Sequence, residues 1–87
     1  MVVSLIQANG FSCFKSVRDS YGTKRFKPMY CFDIEALEKR YDMRCKNTLE
    51  YSHLELRLIK DIKSLGFSVS SAPYLTYAYG YVGLNIE

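Results

Sequence analysis

Tryptophan is absent from this chain, histidine occurs once and proline twice, and the three cysteines stand far apart. Each scarcity excludes something. Two Pro and five Gly exclude collagen-like and Pro/Gly-rich low-complexity chains. Cys13, Cys31 and Cys45 are odd in number and form no CxxC pair. That excludes a disulfide framework and leaves the thiols as small apolar groups, as expected in a reducing, cytoplasmic compartment. With His53 they make four candidate metal ligands, but without the close pairs that structural zinc sites use, so no metal or other cofactor is expected. A Cys45–His53 nucleophile pair would lack a third, orienting group. The glycines are dispersed, so there is no phosphate-cradling loop. No enzyme is expected. No apolar run approaches the roughly 18 residues that span a bilayer, so no membrane partner is expected. The first residues lack a basic stretch and a small-residue cleavage site, so no secretory leader is expected. Residues 64–86 carry no charged side chain at all.

What is present is globular. Of 87 residues, 48% are hydrophobic and 24% charged, which fits one small domain with a single modest core. The net charge of +3 is mildly basic. It is uneven: Lys15, Arg18, Lys24, Arg25 and Lys27 are opposed only by Asp19 in the early chain. Eight Tyr and five Phe make the chain rich in aromatics.

Asn9-Gly10 separates two apolar-rich runs and predicts a hairpin with a type I′ turn. Its register would pair Ile6 with Cys13 and Val2 with Val17, placing Val2, Ile6, Ala8, Phe11, Cys13 and Val17 on the core face. A third strand is expected over residues 23–32, at an edge or broken by Pro28. Asp33 is a good N-cap for a helix of about a dozen residues, with Ile34, Leu37, Tyr41 and Cys45 on one stripe. Asn47 and Glu50 form an Asn capping box for a second helix over residues 48–65. Its apolar stripe is Tyr51, Leu54, Leu58, Ile62 and Leu65, closed by Gly66. Leu49, His53 and Leu56 lie nearly opposite and predict a contact with the first helix or with a partner. A short strand is expected over 67–71, and a long run that is strand-like throughout over 74–86. The whole predicts an α+β, two-layer fold: an antiparallel sheet of about five strands, in the order β-β-β-α-α-β-β, with two helices on one face.

In the last strand, a period of two would set Leu75, Tyr77, Tyr79 and Tyr81 in a row, with Tyr74 beside them. Such a ladder is either core or an exposed recognition face, since tyrosine combines apolar area, a stacking ring and a hydroxyl. Tyr79-Gly80-Tyr81-Val82 resembles part of the RNP1 motif of RNA-recognition modules. Tyr77, Ala78 and Leu84 stand where that motif has a basic residue, a glycine and a closing aromatic. In those modules the motif lies on an inner strand.

The best reading is a small intracellular, non-enzymatic protein acting by stoichiometric contact with a protein or nucleoprotein partner. Its contact residues would be Tyr74, Tyr77, Tyr79, Tyr81, Leu49, His53 and Leu56. Compact tyrosine-rich chains of this size are common among phage and mobile-element inhibitors and adaptors, which is analogy only. The alternative is a single-stranded nucleic-acid binder using the tyrosines with Lys15, Arg18, Lys24, Arg25 and Lys27. The uncharged stretch from Ser64 to Ile86, with no lysine to guard a strand edge, also predicts a homodimer or a partner-capped edge.

Overall fold

A computed structural model of the chain describes residues 2–16, 29–71 and 77–87. Helix α1 (Val2–Ala8) is followed by strands β1 (Cys13–Ser16) and β2 (Met29–Asp33). Helices α2 (Ile34–Tyr41) and α3 (Thr48–Ser64) come next, then β3 (Val69–Ser71), a 3-10 turn at Tyr77–Tyr79, and β4 (Tyr81–Ile86). The architecture is a small α+β domain with one antiparallel four-stranded sheet, in the order β1-β2-β4-β3, and three α-helices among the described residues.

The two helices read from capping signals form where expected. The Asp33 carboxylate accepts from the Glu35 amide at 3.2 Å and starts α2. The Asn47 side chain accepts from the Glu50 amide at 2.9 Å, and the Glu50 carboxylate reaches back to the Lys46 amide at 3.1 Å. α2 is shorter than expected. Asp42 turns left-handed at φ 51°, and both its amide and that of Met43 bond the Glu38 carbonyl. Cys45 therefore lies in the loop, where its amide donates to the Glu38 carboxylate at 2.8 Å.

Leu54, Leu58 and Ile62 of α3 are fully buried in one cluster with Phe32, Val82, Leu84 and Ile86 of the sheet. Each such side chain contributes about 1.5–3 kcal/mol by leaving water. The alternation Val82, Leu84, Ile86 makes the helix-covered face of β4, as the period of two requires.

The opening segment corrects the hairpin. Residues expected as its first strand form α1, and β1 pairs instead with β2, Cys13 opposite Phe32. Val2, Val3 and Ile6 fit a helical period as well as a strand's, and a run this short does not separate the two. Asn9-Gly10 stops the helix. Gly10 takes φ 91° and its amide bonds the Gln7 carbonyl, while the Asn9 and Phe11 amides both bond that of Ile6. The positive φ expected of a type I′ turn is used here as a helix terminus. Ile6, Phe11 and Cys13 are buried nonetheless, whereas Ala8 is exposed.

The last strand is corrected too. Tyr77–Tyr79 is a 3-10 turn, and Gly80, at φ 84°, reverses the chain into β4. Its carbonyl accepts the first amide of α2, from Ile34, at 3.0 Å. β4 is an inner strand, paired with β2 on one side and β3 on the other. β4 therefore presents no open edge, whereas β3, also within the uncharged 64–86 stretch, is the end strand of the sheet among the described residues. Most of the third expected strand, residues 23–28, lies outside the described residues.

Candidate functional site

α3 is the platform from which the candidate site is built, because tyrosines hold it at both flanks. On one flank the Tyr77 ring stacks on Tyr51, centroids 5.1 Å apart and planes 19° from parallel. The Tyr77 hydroxyl donates to the Glu55 carboxylate. Burial first, then the hydrogen bond to Glu55 and its charge, push the Tyr77 phenol up to about 12. On the other flank the Tyr41 hydroxyl of α2 donates to the Asp61 carboxylate. The Arg57 guanidinium sits 4.8 Å from the Tyr41 ring centroid and donates to the Tyr41 carbonyl at 3.4 Å. Burial, then the Asp61 hydrogen bond, raise the Tyr41 phenol well above its ordinary value.

With the core below and a tyrosine on each side, the fourth side of α3 faces water. Leu49 is 65% and Leu56 63% exposed, and His53 is exposed between them. Lys60 and Lys63 are exposed as well. At 3.6 residues per turn these five positions share a sector of about 80°. The expected contact with the first capped helix falls instead to Tyr41, Arg57 and Asp61, and the Leu49, His53, Leu56 patch stays open.

The tyrosine row does not exist as a row. Tyr77 turns in against α3, and Tyr79 stands on the same turn 75% exposed. Tyr81 is half-buried on β4, on the sheet face away from Val82, where Phe14 meets it edge-on at 5.1 Å. Its neighbours in the RNP1-like stretch are thus a turn residue and a left-handed glycine, so no strand presents these rings side by side. Tyr74 lies outside the described residues, as do Arg18, Lys24, Arg25 and Lys27. Lys15 is exposed on β1.

The clamp residues Tyr41, Tyr51, Glu55 and Asp61 were not readable as a site. Carboxylates on the sides of a helical stripe, at Glu55 and Asp61, were the only signal. The thiols offer little chemistry: burial first, then the neighbouring Cys31, push Cys13 up to about 12, and burial also raises Cys45. Cys45 donates to the Glu50 carbonyl at 3.6 Å, while His53 faces solvent. Among the described residues no three His, Cys, Asp or Glu side chains are grouped to hold a metal, and no helix is long and apolar enough to cross a membrane. An open depression between α2 and the 42–46 loop is lined by Glu35, Glu38 and Arg44, a mixed-charge surface in which Glu38 already serves the backbone. No protein-family model matches this chain, and no curated protein or solved structure matches it.

Proposed function

We propose that this chain is a small non-enzymatic binding protein, an adaptor or inhibitor, that works in a reducing cytoplasm by stoichiometric contact with a protein or nucleoprotein partner. The observation that carries this reading is the outer face of α3, where Leu49 and Leu56 are 65% and 63% exposed on a helix clamped at both flanks. Single exposed leucines are ordinary, but two on one rigid face, with a histidine between, form a patch. A helix already fixed by its own chain loses little further freedom when it docks. Tyr79, 75% exposed, offers a further large ring, a residue type enriched at contact hot spots.

A second reading, a single-stranded nucleic-acid binder, is favoured by a different observation. Phe14 and Tyr81 stand together on the sheet face away from α3, and β1 carries exposed Lys15. Affinity capture of the tagged chain from its native source, with and without nuclease, separates the two. A protein recovered at a fixed molar ratio in both cases, identified by mass spectrometry and rebuilt from purified components, is the expected result. Recovery that disappears with nuclease would favour the second reading.

A further inference from the structure

The charges on α3 are not distributed evenly between use and idleness. The helix has three carboxylates, Glu50, Glu55 and Asp61. All three are engaged inside the chain: Glu50 with the Asn47 side chain and the Lys46 amide, Glu55 with Tyr77, and Asp61 with Tyr41. Arg57 is engaged as well, on Tyr41. The Lys60 and Lys63 side chains are exposed and have no hydrogen bond or ion pair among the described residues. Lys63 lies in the last turn, where it also complements the helix dipole; Lys60 sits one turn earlier. The outward stripe therefore reads Leu49, His53, Leu56, Lys60, Lys63: apolar at its N-terminal end, positive at its C-terminal end, and without an acid of its own.

We infer that this stripe receives an acidic amphipathic helix of a partner protein, its apolar ridge on Leu49 and Leu56 and its carboxylates on Lys60 and Lys63. The inference rests on the protein-contact reading above and gives the partner its chemistry. Charge complementarity selects this occupant. A second copy of the chain would bring a stripe with the same two lysines and no acid to meet them. A nucleic-acid backbone would satisfy the lysines and leave both leucines against phosphate. An acidic helix matches both ends, and the span from Leu49 to Lys63, about 21 Å at 1.5 Å per residue, is that of about four helical turns. Lysine stems can also cover part of a partner's apolar ridge while their ammonium groups reach its acids.

The test is selection of a displayed library of helical peptides, about 20 residues long, against the full-length chain. The sequences recovered should converge on apolar residues at i, i+3 or i+4, and i+7, flanked by Asp or Glu. Their synthetic forms should bind at least tenfold more weakly to Leu56→Ala and to the double variant Lys60→Glu, Lys63→Glu. Replacing the peptide's acids by lysine should restore binding to that double variant. Far-UV circular dichroism read alongside should be unchanged, and the melting temperature should hold in Leu56→Ala and fall by only a few degrees in the double variant, through the dipole complement lost at Lys63. Absence of convergence, or affinity indifferent to both variants, would overturn the inference. Tighter binding to vesicles rich in anionic lipid, or to single-stranded RNA, lost in the same variants, would overturn it as well. A stoichiometric protein partner whose affinity ignores both variants would sink the acidic-helix proposal and leave the broader reading standing; failure to find any protein partner would remove both.

Discussion

Tyr77 shows how much a single side chain decides. Placed in a uniform strand it would be one rung of four, yet here its ring lies on Tyr51 and its hydroxyl on Glu55. An aromatic pair of this kind is worth about 0.5–1.5 kcal/mol beyond its buried area. Removing the hydroxyl in Tyr77→Phe is expected to cost about 1 kcal/mol in urea unfolding. The protonation of Tyr77, Tyr41 and Cys13 gives a pH prediction. All three have folded values above their ordinary 10.0, 10.0 and 9.0. Folding therefore favours their protonated forms, and this stability is fully present below the ordinary values and lost as pH rises through the folded ones. Melting temperature should be insensitive to these groups at neutral pH and should fall from pH 9.0 towards about 12, the folded value of both Cys13 and Tyr77. Thermal melts across that window check this, and Tyr77→Phe should flatten part of the slope. A melting temperature that rises with pH there would show the sign to be wrong.

At the scale of elements, legibility followed the length and punctuation of each segment. α3 was readable almost to the residue, because Asn47, Glu50 and Gly66 mark its ends and its apolar stripe runs through the whole helix. α2 was readable at its start, where Asp33 caps it, but not at its end. Nothing in the apolar spacing announces that Asp42 will adopt a left-handed backbone. α1 was misread because seven residues hold too few turns to distinguish helical from strand periodicity, and because Asn-Gly serves equally to end a helix and to turn a hairpin. The tyrosine segment was misread because its alternation is real in sequence, but Tyr77 gains a partner on α3 only if the chain leaves the strand. The exposed Leu49, His53, Leu56 patch was visible from spacing alone; the tyrosine clamp was not, since it joins residues 20 and 22 positions apart. Two substitutions test the element-level account by urea denaturation. Asn47→Ala should cost about 1 kcal/mol through the lost cap. Gly80→Ala should cost about 1–2 kcal/mol, although a Cβ there would meet no atom within 4 Å, because the penalty comes from φ 84° and not from crowding.

For the whole molecule, the central division is between the two sides of α3. Leu58 is fully buried and Leu56 is 63% exposed, although only Arg57 stands between them. Leu58→Ala should therefore cost about 2–5 kcal/mol of stability. Leu56→Ala should stay within about 0.5 kcal/mol of the parent. Partner affinity should reverse that order for the outer residue, with a loss of about 2 kcal/mol if Leu56 is a hot spot. Sheet order supports the same division. β4 is enclosed by β2 and β3, so α3 and not an open β4 edge carries the exposed leucines. The most direct measurement is hydroxyl-radical footprinting of the chain free and in its purified complex, which reads side-chain exposure residue by residue. Oxidation of Leu49, His53 and Leu56 should fall on complex formation, while Phe14 and Tyr81 remain as they were. Protection confined to Phe14, Tyr81 and the basic segment around Lys15, with Leu49 and Leu56 still fully reactive, would contradict the account.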